Sequence, residues 1–313
     1  MRLWQNAMIG LARNTSVTMF MHSSRFMCRF ANQFVAGHDA KAALERSREL
    51  FSRGIRSSLF FLGEYVEDET RIEETVSSLM ELVPALSTAG LDVHVSVDPT
   101  QIGAMLSWNR CYDNALRLAQ TIADHAGPGV NILMIDMEDA SVTQSTLDLY
   151  HALFSAGLPV AITLQAYLHR SPSDIAQLVE QGAMVRLVKG AFAESADLAV
   201  SGRTARDAAY RASLDMLFSE TARQHGVRPV VGSHDHTMID YACSLAEQQG
   251  WRPDEWEVEM LLGVRPDYQR HLVERGVQVR VYMPYGSSWW PYSIRRIGET
   301  PRNLGFVARA LLG

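Results

Sequence analysis

The feature that most constrains the chain is an alternation of short β-rich apolar runs with longer segments of helical periodicity, sustained from Arg56 to the C-terminus. The runs are SSLFFL (57–62), VHVSV (93–97), ILMID (132–136), VAITLQ (160–165), VRLVK (185–189), PVVG (229–232), EVEML (257–261) and VRVYM (279–283). Between them, segments such as RIEETVSSLMELVPALSTAG and RDAAYRASLDMLFSETARQHG carry apolar residues at three- and four-residue steps and close on a glycine. Strand, helix and strand in this order build βαβ units and a parallel sheet.

An open doubly wound sheet can be written with the same alternation, but its nucleotide-binding form needs a Gly-rich turn after the first strand. Here SSLFFL is followed only by Gly63-Glu64, and no GxGxxG occurs. Eight roughly equal units over about 260 residues point instead to an α/β fold of the closed (β/α)8, or TIM, barrel type. The expected organisation is an N-terminal helical arm over 1–50 and a barrel carrying the site over 51–313. The first acidic residue is Asp39, which gives the N-terminus a superficial likeness to an organelle transit peptide. A helical arm anchored by Phe30 and Phe34 is the simpler reading.

Composition bears mainly on partners. A chain of 313 residues with 47% hydrophobic side chains can bury a large core. Its net charge of −6, with no basic block, argues against nucleic acid or an anionic membrane surface. Cys28, Cys111 and Cys243 have no metal-like spacing and form no disulfide framework, which fits a reducing cytosol. No apolar run approaches the roughly 20 residues that span a bilayer, so no integral membrane segment is expected. The chain reads as a soluble, cytoplasmic protein acting on a small molecule, with a peripheral contact at the inner membrane left open.

In a barrel of this type the site forms at the carboxyl ends of the strands. Those positions hold Asp98, Asp136, Gln165, Arg186, Lys189, His234 and Tyr282. The segment VRVYMPYGSSWWPYSIRRIGETPRN adds a helix in which Pro291 suits the first position, putting Tyr292, Arg295, Arg296 and Glu299 on one face. Two arginines in the first turns oppose the helix dipole, so an anion, above all a carboxylate, should offset them. The alternative is a solvated helix with an Arg295–Glu299 surface pair.

The segment VRLVKGAF offers Arg186 and Lys189 as a cationic pair for an anionic cofactor, with Gly190 permitting close backbone approach. A solvated lysine and a Schiff-base lysine are the rivals. His234-Asp235-His236 has a spacing that can bind a metal together with Asp136. One inward histidine touching a cofactor is the preferred reading, and no metal is assigned. Gln165 can exchange hydrogen bonds with a heterocycle. Trp289, Trp290 and Tyr285 cluster beside the arginine helix, as a ligand shield or as rim packing.

Together these residues resemble the proline dehydrogenase family, especially its short bacterial monofunctional members. The likeness is carried by IRSSLFFLGE, VSVDPTQIG, IDMED, LQAYLHR, VRLVKGAF, SHD, EMLLGV, VRVYMPYG and WPYSIRRIGE, in order, over most of the chain. It implies a distorted barrel holding noncovalent FAD at its mouth, with the last helix over the isoalloxazine ring. The implied reaction is hydride transfer from C5 of proline to flavin N5, giving 1-pyrroline-5-carboxylate, with electrons passing to a quinone or oxygen. On that resemblance Arg295 and Arg296 bind the substrate carboxylate, and Tyr282, Tyr292 and Asp136 line the pocket. Gln165, Arg186, Lys189, Gly190, His234 and Glu299 hold or order the flavin, and Asp136, Tyr282 and Asp98 are the candidate catalytic set.

Asp98 is a departure: it stands where the family has a lysine facing the substrate carboxylate. A carboxylate about 4 Å from another repels it by roughly 4 kcal/mol at an effective dielectric of 20. Either Asp98 recognises a positive or hydrogen-donating group on a noncanonical amino acid, such as an extra amine or an N–N bond, or it pairs with Arg295 or Arg296. Phe192 replaces a frequent family tyrosine. More distant alternatives are a metal-dependent barrel hydrolase, a ligand-binding protein without turnover, and an aldolase built on Lys189.

Overall fold

Each apolar run forms a parallel strand: β1 (Ile55–Phe61), β2 (His94–Val97), β3 (Ile132–Ile135), β4 (Val160–Gln165), β5 (Met184–Val188), β6 (Arg228–Gly232), β7 (Glu257–Leu261) and β8 (Val279–Tyr285). The strands pair in chain order, and β1 against β8 closes the barrel, with Ile55 opposite Val279 and Phe61 opposite Tyr285. The expected (β/α)8 architecture is therefore the observed one. This computed structural model describes residues 33–289 and residue 292. Most of the expected N-terminal arm lies outside the described residues, as do Arg295, Arg296 and Glu299.

The outer layer is α1 (Ala40–Phe51), α2 (Glu69–Thr88), α3 (Trp108–Asp124), α4 (Thr143–Ser155), α5 (Ser171–Glu180), α6 (Arg203–Leu217), α7 (Glu220–Gln224), α8 (His236–Gln248) and α9 (Pro266–Glu274). Starts are set by side-chain caps: Asp68 accepts from Arg71 N at α2, and Ser107 from Arg110 N at α3. The stretch 206–226, which the periodicity presents as one helix, is two. Ser219 is extended and accepts from Ala222 N, so a cap interrupts the pattern and starts α7.

Alternate strand residues point outward and are buried under the helices, among them Val95, Val185, Leu187, Val258, Met260, Val279 and Val281. The inward positions differ from the apolar strand bodies expected of a sheet covered on both faces. Met134, Ala161, Met184 and Val230 form an apolar plug on one side of the interior. The other side is ionic. Arg280, fully buried, donates to Glu257 at 2.6 and 3.0 Å, to Asp92 at 2.8 Å and to the Ser57 carbonyl at 2.8 Å. Arg56 adds a second cation on Asp92 at 2.6 Å. The buried charge of Arg280 is tolerated because all three of its nitrogens donate to carboxylate or carbonyl oxygen.

Candidate active site

The ionic interior continues upward to the barrel mouth through Arg186 of β5. Its Nε donates to Thr163 Oγ1 at 2.9 Å, Nη1 to Glu259 Oε1 at 2.6 Å, and Nη2 to Ser96 at 3.3 Å and to Asp136 Oδ1. Four strands thus meet on one guanidinium. Burial works against its charge, but Asp136 and Glu259 more than offset that and hold it protonated, with its pKa raised. Glu259 is pushed up, because its burial outweighs the attraction of Arg186.

Asp136 follows β3 directly and is the acceptor around which the mouth is arranged. Besides Arg186 it receives Thr163 Oγ1 on Oδ1 at 2.9 Å and Tyr282 Oη on Oδ2 at 2.9 Å. The Tyr282 ring lies 5.1 Å from the Arg186 guanidinium and 5.4 Å from the Phe60 ring. Burial, then the charges of Asp136 and Asp98, raise the Tyr282 phenol well above its ordinary value, so it stays a neutral donor. Asp98 follows β2 and is buried. Gln165, also buried, closes β4 and donates its amide to the Glu138 carbonyl at 2.7 Å.

Beyond β5 the chain turns at Gly190, where φ is +100°. A Cβ there would come within 2.1 Å of the Tyr167 ring, so only glycine fits. Lys189 donates to Asp207 at 2.5 Å and to Asp235 at 2.8 Å. Partial burial would lower its pKa, but the two carboxylates overcome this and raise it. An ammonium so paired is not a free nucleophile, which removes the physical basis of a Schiff-base reading.

Next to Lys189 lies a cavity of about 410 Å³ lined by Arg203, Thr204, Asp207, Arg211, Asp235 and Thr237. The first turns of α6 and α8 both contribute to its wall. His234, half-buried, sits just before α8, and its carbonyl accepts from Arg265 at 2.7 Å.

The structure brings Asp136, Arg186 and Tyr282 into one hydrogen-bonded group, with Asp98 near enough to act on the phenol. Lys189 and Gly190 stand further along the β5 loop, and Tyr292 is buried. Sequence reasoning did not single out Thr163, Glu259, Glu138 or the cavity wall on α6. Thr163 and Glu259 carry a readable signal, being polar at inward positions of otherwise apolar strands. Asp136 does not assemble with His234 and His236: among the described residues the metal-ligand spacing is met by His94, Glu257 and Glu259. Three arginines, Arg280, Arg186 and Arg228, press on His94 after burial and lower its pKa, an environment unfavourable to a further cation.

A closed (β/α)8 barrel whose ionisable side chains converge at the carboxyl ends of its strands is built as barrel enzymes are. The profile of the family described as Proline dehydrogenase matches residues 43–309, and the chain belongs to that family. It is 31% identical over 281 residues to proline dehydrogenase 2 of Bacillus subtilis, covering 90% of each chain. It is also 31% identical over 316 residues to the proline dehydrogenase of Deinococcus radiodurans, covering 99% of this chain and 98% of that one. Among solved structures, proline utilization A (PutA) from Bdellovibrio bacteriovorus, inactivated by N-propargylglycine, superimposes on 87% of the chain with a TM-score of 0.79 at 22% identity. PutA from Corynebacterium freiburgense does so over 97% with a TM-score of 0.73 at 21% identity. The chain spans about a third of those longer proteins, 32% and 33%, and the likeness concerns the fold. Family members are flavin-dependent oxidoreductases acting on the CH–NH group of proline. Among the described residues no helix is long and apolar enough to cross a membrane.

Proposed function

We propose that the chain is an FAD-dependent proline dehydrogenase that oxidises proline to 1-pyrroline-5-carboxylate and passes the electrons to a quinone or to oxygen. The observation that carries the reading is the group formed by Asp136, Arg186 and Tyr282 at the mouth of a barrel of this family. FAD, when bound without a covalent link, supplies the two-electron acceptor for the carbon next to nitrogen.

The chain's residues fit that cofactor at the cavity beside Lys189. That cavity offers Arg203, Arg211 and two helix N-termini, which suits a diphosphate. Gly190 turns the β5 loop directly after Lys189, with the Tyr167 ring where a Cβ would stand. Gln165, Lys189, Gly190, His234 and Glu299 are the proposed flavin-side residues, with Arg186 a fixed cation beneath them.

On the substrate side Arg295 and Arg296 clamp the carboxylate of a small amino acid, which fixes its far end. Tyr282 and Tyr292 wall the pocket, and Asp136 keeps the Tyr282 phenol aimed by accepting its proton in a hydrogen bond. A buried set of this kind excludes water from the reacting carbon. Asp98 tunes the charge that the substrate meets.

The direct experiment is the visible spectrum of the purified protein, followed by anaerobic addition of proline. Flavin absorption that bleaches with proline is the expected result. A colourless protein that also fails to take up added FAD overturns the cofactor, and a flavin that proline leaves oxidised overturns the substrate.

A further inference from the structure

Glu138 is a buried titratable group at the mouth that the reading above leaves without a task. It stands two residues beyond Asp136 in the loop after β3, with 3% of its surface exposed. Both of its oxygens accept from one residue: Thr100 N reaches Oε2 at 2.9 Å and Thr100 Oγ1 reaches Oε1 at 2.5 Å. Thr100 belongs to the turn that follows β2 and begins at Asp98, whose carbonyl accepts from Gln101 N at 3.0 Å and Ile102 N at 3.3 Å. Gln101 Nε2 ties the same turn to the Phe61 carbonyl of β1, and Asn114 Nδ2 ties it to α3 through the Ile102 carbonyl at 2.9 Å. Thr100 in turn holds the loop after β1, accepting Tyr65 N on its hydroxyl at 3.0 Å and Val66 N on its carbonyl at 3.1 Å.

We propose that Glu138 is a positioning residue for the substrate site: by gripping Thr100 with both carboxylate oxygens it sets where Asp98 stands relative to Asp136 and Tyr282. The inference rests on the proline dehydrogenase reading for what the site binds, while the clasp itself rests on the geometry alone.

The clasp accepts both Thr100 donors only in the ionised form. Thr100 has one hydroxyl hydrogen, given to Glu138, and one lone pair taken by Tyr65 N. A proton on Glu138 Oε1 reverses that bond onto the remaining lone pair of Thr100 Oγ1 and leaves the threonine hydroxyl hydrogen without the acceptor it has here.

Among the described residues, the charged and titratable groups that face Glu138 are Glu64 and Tyr65 from the loop after β1, Asp136 from the end of β3 and Cys111 from α3. None of them is a cation. Burial most of all, with Glu64 and Asp136 adding to it and the Thr100 bonds opposing, pushes Glu138 up to about 7.

The folded-state pKa is thus above the ordinary glutamate range, so the fold favours the neutral acid. Stability from this group is present below that range and is lost as pH rises through about 7. Activity is expected to move the opposite way, rising as the clasp ionises.

The test follows kcat/KM for proline with an artificial electron acceptor, on FAD-loaded native protein, E138Q and T100V, from about pH 5.5 to about pH 9. The native profile should rise on an ionisation near 7. In E138Q that step should disappear and kcat/KM at alkaline pH should fall about tenfold, since a glutamine amide has one acceptor oxygen for the two Thr100 donors. T100V removes a bond to the carboxylate and should move the step to higher pH, a change that a merely structural role does not produce. A limb due to the substrate amine is common to all three proteins and cancels in their ratios. Melting temperatures over the same range should show native protein losing stability relative to E138Q as pH rises. An E138Q profile that keeps the native step overturns the proposal. Native protein that neither holds flavin nor oxidises proline overturns the functional reading instead, and the clasp is then decided by the melting series, where parallel pH slopes sink it.

Discussion

Tyr282 Oη donates a 2.9 Å hydrogen bond to Asp136 Oδ2 across the barrel mouth, joining β8 to β3 over the intervening β1 and β2. The phenol is a neutral donor held by burial and by two carboxylates, and Asp136 Oδ1 is occupied separately by Thr163 and Arg186. Removing the hydroxyl therefore deletes one bond and leaves the rest of the group assembled. Tyr282→Phe is expected to lower stability by about 1 kcal/mol and kcat/KM for proline by roughly tenfold. Thermal melting and steady-state kinetics on flavin-loaded protein check the two figures.

Gly190 and Tyr167 define a second constraint. Tyr167 is fully buried, its hydroxyl donates to the Phe192 carbonyl at 3.2 Å, and Arg206 packs over its ring at 4.9 Å. The ring cannot retreat from a new methyl group at position 190, where φ is also +100°. Gly190→Ala should cost more than about 1 kcal/mol of stability and displace the loop after β5. Flavin content after desalting is the sharper readout: the variant is expected to lose most of its FAD while the far-ultraviolet spectrum of the barrel is retained.

The barrel was legible because its period-2 and helical signals are local: the eight apolar runs coincide with the eight strands to within two residues at most ends. The inward polar positions were written in the same runs, as His94 and Ser96, Glu257 and Glu259, Arg280 and Tyr282. They read as imperfections in apolar strands because their partners lie on other strands. Arg186 was found as a cation at the mouth, but its engagement by Glu259, 73 residues away, has no signature in the VRLVK text. Glu138 stands within IDMED with nothing local to mark it, since its partner Thr100 is 38 residues distant. Ser219 broke an expected helix through a cap, a signal present in the sequence and overridden there by apolar periodicity.

The ionic interior yields a stability prediction. Arg280 is fully buried between Glu257 and Asp92, and its removal leaves Glu257 with Arg228 at 3.5 Å and Asp92 with Arg56. Arg280→Met is expected to destabilise the protein by about 3–5 kcal/mol, a large share of the total for a domain. Arg280→Met combined with Glu257→Leu should recover much of that loss, which urea unfolding of the single and double variants can establish. Burial alone would raise Glu257, but Arg280 outweighs it and holds the carboxyl low. The associated stability is present above the ordinary glutamate range and lost as pH falls through the depressed folded value, so the acid limb of the melting curve should flatten in the single variant.

Asp98 carries the specificity question. It is buried at the head of the turn after β2, and its charge reaches the Tyr282 phenol together with that of Asp136. A substrate carboxylate entering this mouth meets Asp98 beside an Asp136 that Arg186 already pairs. At contact distance and an effective dielectric of 20 one such charge costs about 4 kcal/mol, and nearby arginines reduce this. Asp98→Asn keeps the shape and removes the charge, so KM for proline should fall roughly tenfold, about 1.4 kcal/mol, with kcat changed by less than about threefold. An amino-acid amide lacking the carboxylate serves as the comparison, and its KM should not improve. A rise in KM for proline would mean that Asp98 attracts the substrate amine, and the preferred substrate would then be an amino acid bearing a second positive group.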